Sequence, residues 1–212
     1  MKIFNCEIIR KGPGNSNTIA VTFDDGPHEK YTPVLLDILD EKEGRATFFF
    51  AGQNIAQYKD LAKEVVKRGH LIANHTFSHR RALFIGREKL KDEIIKTKEL
   101  IEDLTGKPNR YFRPPFGIIT PSLLGICRTL DLSVLLWNVN TFDFLRKPAD
   151  RIINRIKNKV HPGSIVLFHE CHFNKKSLDY SNTAIALKTV LDKGIFGGLK
   201  LVTVEELLEG SV

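Results

Sequence analysis

The sequence predicts a single-domain α/β fold built on a parallel sheet of about seven strands. Its 212 residues, 42% of them hydrophobic, suit one compact domain with a sizeable core. Short β-rich runs alternate with amphipathic stretches along the chain, without a linker, a low-complexity segment or an internal repeat. Alternation of this kind implies parallel strands that are covered by helices.

The first half of the chain supplies three strands and two helices. The first helix is predicted to have Thr32 as its N-cap, Pro33 at its first position and an apolar face over residues 35–39. The second helix covers residues 54–68 and stops at Gly69. The predicted strands are Ile19–Phe23, Ala46–Phe50 and His70–Asn74.

The second half continues the alternation with longer helices. Residues 87–104 carry apolar side chains at helical spacing and end at Gly106. Further helices are predicted at 121–131, 149–159 and 183–193, and the remaining strands are Tyr111–Arg113, Ser133–Trp137, Ser164–Phe168 and Lys200–Val204. With about seven β/α units, the pattern alone is compatible with a closed barrel and with an open doubly wound sheet.

The charge of the chain could indicate an anionic partner. The net charge is +7 and the sequence pI is about 9.3. Much of the excess, however, lies at helical spacing with acids between, as in residues 87–93, which is typical of a solvated helix face. We therefore expect no nucleic-acid partner.

Compartment and cysteine usage give weaker indications. No apolar run approaches the roughly 18 residues that span a bilayer, so no transmembrane segment is expected. Residues 1–7 contain no apolar stretch of signal-peptide length, which predicts a cytoplasmic protein, and action at the cell envelope would imply a trimmed N-terminus. Cys6, Cys127 and Cys171 are scattered and are expected to be free, buried thiols. The sequence predicts no particular oligomeric state.

Polar residues follow the predicted strands at their carboxyl ends. In a parallel barrel these ends share one face, where active sites are built. Residues as distant in sequence as 24 and 169 are therefore expected to converge. The residues concerned are Asp24, Asp25, His75, His79, Arg113, Asp143 and His169.

Three of these residues have the chemistry of a divalent metal site. A catalytic zinc usually keeps three protein ligands and one open position. His75 and His79 are four residues apart, which places both imidazoles on one face of a helical turn, and one carboxylate of the Asp24-Asp25 pair completes the set. Because Thr76 stands where the HExxH motif has its glutamate, the general base must come from elsewhere, and the second aspartate can supply it.

Five motifs in order resemble the polysaccharide deacetylase family with the NodB-homology domain, also known as carbohydrate esterase family 4. They are Thr22–Pro27, His75–His79, Arg113–Gly117, Trp137–Asp143 and Leu167–His169. The resemblance covers residues 18–207, which leaves 1–17 as an N-terminal extension and 208–212 as a C-terminal tail. It implies a distorted (β/α) barrel, often with seven strands, in agreement with the number of units.

The resemblance also implies a role for each motif residue. Asp24 would be the general base, held by Arg113, and Asp25 would bind the metal with His75 and His79. His169 would be the general acid, oriented by Asp143. The backbone N–H of Phe116 would bind the oxyanion. The side chains implied around the substrate are Pro115, Trp137, Phe144 and Leu167.

Three positions depart from the family pattern and concern substrate choice more than catalysis. Phe116 replaces a tyrosine, Phe144 stands where a tryptophan is usual, and Glu170 follows His169 where aspartate is common. The polar segment 172–182 is predicted to be a loop at the catalytic face.

The resulting hypothesis is a hydrolase that uses one divalent metal ion to remove acetyl groups from an N-acetylated glycan of the chitin or peptidoglycan kind. Zinc is the first expectation for the metal, and cobalt, nickel and manganese suit the same ligands. One alternative is hydrolysis of a cytoplasmic small amide or sugar–lipid intermediate on the same scaffold. A second alternative is an inactive glycan-binding module.

Overall fold

A curved, mostly parallel sheet organises the molecule in the computed structural model, which describes residues 2–3 and 6–210. Eight strands pair side by side in parallel, from Cys6–Ile9 at one end to Val139–Asn140 at the other. The strands in chain order are β1 (Lys2–Ile3), β2 (Cys6–Ile9), β3 (Thr18–Asp24), β4 (Thr47–Phe50), β5 (Leu71–Asn74), β6 (Tyr111–Phe112), β7 (Ser133–Leu135), β8 (Val139–Asn140), β9 (Ile165–His169) and β10 (Lys200–Leu201).

The order of the strands makes the sheet an incomplete barrel. From one edge to the other the order is β1-β2-β7-β6-β5-β4-β3-β9-β8, and β10 pairs separately with the start of β3. Among the described residues only β1 and β2 are antiparallel, and β2 and β8, the two ends of the parallel run, do not pair with each other. The predicted distorted (β/α) barrel is thereby confirmed, and its carboxyl strand ends form one rim.

Eight helices surround the sheet in the described part of the chain. The longest is α4 (Arg87–Thr105), which stops before Gly106, as the sequence predicted. Gly106 has the left-handed conformation that is common after the last residue of a helix. Two short 3-10 turns, Pro115–Gly117 and Asp143–Leu145, lie on the rim. The helices are α1 (Tyr31–Asp40), α2 (Gly52–Gln57), α3 (Lys59–Lys67), α4 (Arg87–Thr105), α5 (Pro121–Thr129), α6 (Ala149–Ile156), α7 (Ser181–Asp192) and α8 (Val204–Glu209).

The centre of the core lies between β3, β4 and β9. Every residue of β3 and β4 is buried, as expected for parallel strands that are covered on both faces. The ring of Phe23 lies 5.0 Å from that of Phe48 and 5.8 Å from that of Phe168. This aromatic packing fixes the end of β3, from which the first motif begins.

Two helix predictions were wrong in detail. Helix α1 begins at Tyr31, so Thr32 and Pro33 lie inside its first turn, and Thr32 does not cap it. Instead the Thr32 hydroxyl accepts a hydrogen bond from the His28 N–H and donates one to Glu170. The single helix expected over 54–68 is divided into α2 and α3 at Tyr58, whose ψ of 50° is not helical.

The ends of the chain hold further differences. Strand β2 lies inside the predicted N-terminal extension 1–17 and pairs with β7, and the short strand β8 was also not predicted. The last predicted strand is shorter than expected, because Thr203 and Glu206 form a capping box that starts α8. The boundaries proposed at residues 18 and 207 remain predictions.

No helix among the described residues is long and apolar enough to cross a bilayer. Cys6, Cys127 and Cys171 are all buried and free, as expected.

Candidate active site

The Asp24-Asp25 pair lies in a strained turn at the end of β3. Asp25 has a φ of +77°, which is uncommon for a residue with a side chain. Its carbonyl oxygen accepts hydrogen bonds from Asn54 Nδ2 at 2.7 Å and from Cys171 Sγ at 3.2 Å. A Cβ on Gly26 would lie 1.4 Å from Glu170 Oε1, so only glycine fits there. The turn therefore presents two neighbouring carboxylates in different directions.

The two imidazoles follow β5 in a loop that is not helical, contrary to prediction. Thr76 and His79 both have positive φ, of +65° and +51°. Asn74 Oδ1 accepts from the Thr76 N–H, and Thr76 Oγ1 accepts from the His79 N–H. The rings converge because these bonds fold the loop back on itself, with ring centroids 5.0 Å apart.

Asp25, His75 and His79 form a set that could hold one metal ion. Their ligand atoms all lie within 4.8 Å of one another. Asp25 Oδ1 is 2.9 Å from His79 Nε2 and 3.4 Å from His75 Nε2. His75 Nδ1 lies 2.7 Å from the Arg113 carbonyl, which can only accept, so Nδ1 carries the proton and Nε2 is left as the ligand atom.

Two further observations fit a cation at this position. Asp25 Oδ1 is buried, and its close polar neighbours are the Nε2 atoms of His79 and His75. Burial raises the pKa of Asp25, but the nearby imidazoles of His79 and His75 outweigh it, so that the pKa lies well below its usual range. A buried, ionised carboxylate oxygen beside two imidazoles suits one divalent metal ion.

Arg113 forms one wall of the site behind Asp24. The guanidinium is fully buried and donates from Nη1 to Asp24 Oδ1 at 2.6 Å and to Thr22 Oγ1 at 2.9 Å. Its other nitrogens donate to the carbonyls of Leu135 and Leu136, and it lies 3.8 Å from the centre of the Phe49 ring. Arg113 thus forms a hydrogen bond to Asp24 Oδ1. The other carboxylate oxygen, Oδ2, lies 3.8 Å from His75 Nε2.

His169 and Asp143 form a second wall of the site, at the end of the strand that pairs with β3. Asp143 is buried, and its Oδ1 accepts from His169 Nδ1 at 2.8 Å while Oδ2 accepts from the His169 N–H at 2.7 Å. Thr183 donates a third bond to Oδ2 at 3.0 Å. Burial lowers the pKa of His169, but the charge and hydrogen bond of Asp143 outweigh it and raise the pKa to about 9. The imidazole is therefore held as imidazolium at neutral pH.

A cavity of about 400 Å³ joins the two walls. Most predicted residues line it directly, whereas Arg113 and Asp143 lie behind its surface and Pro115 is buried at the start of a 3-10 turn. Phe116 has a φ of +61°, and its backbone N–H donates to no acceptor among the described residues. The predicted residues on the lining are Asp24, Asp25, His75, His79, Phe116, Trp137, Phe144, Leu167 and His169.

Comparison with known proteins identifies the family. The family model described as polysaccharide deacetylase matches residues 11–135. The chain belongs to the polysaccharide deacetylase family. The resemblance drawn from the five motifs is thus confirmed.

The relatives of this polysaccharide deacetylase include enzymes of two named kinds. A peptidoglycan-N-acetylglucosamine deacetylase of Bacillus cereus is 35% identical over 198 residues, which cover 92% of this chain and 90% of the relative. A second Bacillus cereus relative of the same name is 35% identical over 158 residues, but these span only 58% of its length. A chitooligosaccharide deacetylase of Azorhizobium caulinodans is 32% identical over 157 residues, covering 74% of this chain and 75% of the relative.

Solved structures agree on the fold and include both an enzyme and a pseudoenzyme. A peptidoglycan N-acetylglucosamine deacetylase in complex with 4-naphthalen-1-yl-N-oxidanyl-benzamide superposes with a TM-score of 0.87, 29% identity and coverage of 95% and 92% of the two chains. A family pseudoenzyme from Bacillus anthracis has a TM-score of 0.84 and 29% identity, with coverage of 95% and 68%. Fold similarity alone therefore does not distinguish an active member from an inactive one.

The cavity of this deacetylase contains five residues that were not predicted as site residues. His172, Asn174 and Tyr180 come from the 172–182 segment, which was predicted to be a loop at the catalytic face. Gly117 lies against Trp137, because a Cβ there would be 2.9 Å from the indole ring. Gly117 and Asn140 lie inside two of the five motifs, whereas no pattern in the sequence points to the three residues of the loop. The set is Gly117, Asn140, His172, Asn174 and Tyr180.

Contacts with α1 and the segment before it hold the 172–182 segment against the catalytic face. His28 Nε2 lies 3.0 Å from the Lys176 carbonyl, and the Tyr31 hydroxyl donates to Asp179 Oδ1 at 2.7 Å. Tyr180 is buried, and its ring lies 6.4 Å from that of Tyr31. The segment thus forms a fixed side of the cavity in the structure.

Glu170 is a buried carboxyl group beneath the Asp24-Asp25 turn. Thr32 donates to its Oε2, whereas Oε1 is buried without a partner among the described residues. Burial raises the pKa of Glu170 to about 8, and the neighbouring carboxylates of Asp25 and Asp24 add to the effect. Below that pH the group is neutral, so it adds little negative charge to the site.

Proposed function

We propose that the chain removes acetyl groups from the N-acetylated amino sugars of a peptidoglycan-like glycan, with a divalent metal ion held by Asp25, His75 and His79. The observation that carries the proposal is the convergence of three parts around one cavity. They are the Asp24–Arg113 pair, the three potential metal ligands and the His169–Asp143 pair.

The metal ligands support this function by their number and type. One carboxylate and two imidazoles leave coordination positions open for water or substrate. When bound, a divalent ion supplies positive charge that polarises the acetyl carbonyl and lowers the pKa of a water molecule. We propose zinc as the native metal, and cobalt, nickel and manganese are compatible with the same donors.

Asp24 is the proposed general base. Arg113 binds its Oδ1, and Oδ2 is left on the side of the metal ligands, where a water molecule would attack the acetyl carbon. Proton transfer to a positioned carboxylate accelerates such an attack by about 10²–10⁴-fold. Arg113 therefore acts by holding the base in one orientation.

His169, on the second wall, is the proposed general acid. Its Nδ1 is bonded to Asp143, which leaves Nε2 as the atom that can protonate the departing amine. Without that proton the tetrahedral intermediate would return to the amide. The free N–H of Phe116 is the proposed donor to the oxyanion, because no described acceptor competes for it.

The proposed substrate is taken from the names of the relatives. The two alternative functions are kept as outcomes of the test described below. The names of the Bacillus cereus relatives favour peptidoglycan N-acetylglucosamine over a small amide. With this substrate the chain would act at the cell envelope rather than in the cytoplasm. The pseudoenzyme neighbour makes inactivity an alternative, but the residues proposed as base, acid and metal ligands all line one cavity in this chain.

Acetate release tests the proposal. Purified protein, stripped with a chelator and reloaded with each metal, is incubated with peptidoglycan, with N-acetylglucosamine oligosaccharides and with small N-acetylated amides. We expect acetate only from metal-loaded protein and faster from the glycans, with Asp24→Asn as the inactive control. Faster release from the small amides would favour the alternative enzyme, and no release with retained glycan binding would favour the inactive module.

A further inference from the structure

A basic groove larger than the catalytic cavity lies beside it, between α6 and the loop before α6. Its volume is about 850 Å³, compared with about 400 Å³ for the catalytic cavity. Four of its lining side chains are cationic and none is acidic. The lining residues on which the inference rests are Thr141, Phe142, Lys147, Arg151, Arg155 and Lys159.

The segment that forms most of this groove is strongly basic. Residues 144–160 contain six Lys or Arg side chains and one acid, Asp150, a net charge of +5 out of +7 for the whole chain. The four cations of the groove are exposed, and none forms an ion pair with a carboxylate of the residues that the structure describes. By contrast, Lys98 on α4 is paired with Glu102 four residues later.

The spacing of these cations keeps like charges close together. Lys147, Arg151, Arg155 and Lys159 follow each other at intervals of four residues. Arg151 and Arg155 both lie in α6, where residues four apart are neighbours on one face and like charges repel. Like charges at this spacing cost folding free energy, and an anion in the groove would offset that cost.

The groove and the catalytic cavity share a wall. Phe142, in the groove, has its ring 5.8 Å from that of Phe144, which lines the cavity. Phe142 has a φ of +57°, and Arg155 lies 3.7 Å from the centre of its ring. Between the two rings in sequence is Asp143, which orients His169. A chain that leaves the cavity across Phe144 therefore enters the groove next.

We propose that this groove binds carboxylate groups of the same glycan strand whose N-acetyl sugar occupies the catalytic cavity, so that acid-bearing glycans are preferred over neutral ones. The inference rests on the proposed function and specifies its substrate class. Charge complementarity favours a polyanion. The concave shape and the wall shared with the catalytic cavity favour a strand of the substrate over a flat lipid surface or a nucleic acid.

The experiment compares two variants with equal changes in net charge. In the groove variant, Lys147, Arg151, Arg155 and Lys159 are all replaced by Gln. In the matched control, four exposed lysines elsewhere, Lys89, Lys107, Lys193 and Lys200, are replaced by Gln. Each is assayed on peptidoglycan oligosaccharides with free carboxylates, on the same material after amidation of its carboxylates, and on neutral N-acetylglucosamine oligosaccharides.

We expect the groove variant to lose about tenfold in kcat/KM on the acid-bearing glycan at low salt, through KM, since each exposed ion pair contributes little by itself. The preference of the wild type for free over amidated carboxylates should shrink with added salt and should be absent in the groove variant. The control should retain that preference.

Equal losses of kcat/KM in the two variants would show that only the net charge of the protein matters, and would overturn the proposal. Equal kcat/KM for free and amidated glycan in the wild type would overturn it as well. Equilibrium binding of the same glycans to wild-type and groove-variant protein decides the question without turnover. A failure of acetate release would therefore count against the proposed function alone. Tighter binding of duplex DNA or anionic vesicles than of glycan would assign the groove to another partner and overturn the inference.

Discussion

The two walls of the active site are both built from a carboxylate and a cation, but the partners have exchanged positions. On the Arg113 wall the cation is buried behind the surface and the carboxylate of Asp24 faces the cavity. On the His169 wall the carboxylate of Asp143 is buried and the imidazole faces the cavity. In each pair the buried partner is hydrogen-bonded to the oppositely charged side chain that faces the cavity.

The difference between the walls explains how a base and an acid can coexist in one cavity. Arg113 binds Asp24 Oδ1 and leaves Oδ2 to accept a proton in the proposed reaction. On the other wall, Asp143 raises the pKa of His169 to about 9, which keeps a proton available. The proposed base and the proposed acid therefore differ in which partner faces the cavity, the carboxylate in one pair and the imidazole in the other.

The largest expected effect comes from removing the proposed base. In Asp24→Asn the three metal ligands remain, so kcat should fall by about 10²–10⁴-fold while metal affinity is retained. Metal titration followed by acetate release measures both quantities. The neighbouring Asp25→Asn is the control, since it removes a ligand and should bind metal weakly, with activity partly recovered at high metal concentration. If the two variants behave in the opposite way, their roles must be exchanged.

The second prediction concerns the stability that the Arg113 wall provides. Arg113→Met leaves Asp24 buried without its partner, and breaking a buried pair in this way costs about 3–5 kcal/mol of unfolding free energy. Denaturant unfolding of the metal-free protein measures this loss. The double variant Arg113→Met with Asp24→Asn should be more stable than Arg113→Met alone, because the unpaired charge is gone. A double variant that is less stable would show that Arg113 acts through packing instead.

The third prediction tests the His169–Asp143 pair through the pH dependence of activity. His169 is protonated below about 9, so activity should fall as the pH rises through that value. In Asp143→Asn the largest cause that raises the pKa is lost, and the basic limb should move down by about two pH units, toward the ordinary value near 6.5. A pH profile of kcat from 5 to 10 on a glycan substrate measures the shift.

The pairing of His169 with Asp143 should also make the free energy of unfolding depend on pH. Since the pKa of folded His169 is raised, its pairing stabilises the protein fully below pH about 6.5 and is lost as the pH rises through about 9. The unfolding free energy of metal-free wild type should decline over this range more than that of Asp143→Asn. An unchanged basic limb in the variant would refute the role of Asp143, and near-normal turnover of His169→Ala would refute that of the acid.

The smallest effect is expected from Thr183, which donates a hydrogen bond to Asp143 and does not line the cavity. Thr183→Val removes one hydrogen bond to Asp143 Oδ2, and Asp143 retains its bonds to His169. We expect a loss of about 1 kcal/mol in stability and a small downward shift of the basic limb. Thr183→Ser, which keeps the hydroxyl, is the control and should leave the limb in place. Equal shifts in both variants would indicate a packing effect of the missing methyl group.

Much of the active site could be predicted from the sequence because its residues follow β-strands. Apolar runs such as residues 19–23 identify strands by composition, and the carboxyl ends of parallel strands share a rim. The convergence of Asp24, His75 and His169 therefore needed only the order of the elements. The role expected of each residue came from the resemblance in the five motifs. The family match confirms the family, and the individual roles stay predictions.

The loop conformations could not be predicted from the spacing of residues. His75 and His79 were expected on a helical turn, but Thr76 and His79 have positive φ, in a loop whose backbone N–H groups donate to Asn74 Oδ1 and Thr76 Oγ1. The basic groove was missed for a similar reason. The excess charge was assigned to the helix near residue 90, where acids are interspersed, whereas the unpaired cations lie along α6.

The sequence by itself determined the parallel α/β architecture, the set of chemically active side chains and the face on which they meet. Only the tertiary structure decided that β2 and β8 extend the sheet, that Arg113 and Asp143 lie behind the cavity wall and that Tyr180 completes it. The physical reason is the range of the interactions. Periodicity and strand order report local preferences, whereas burial of a guanidinium or closure of a cavity depends on contacts between residues far apart in the chain.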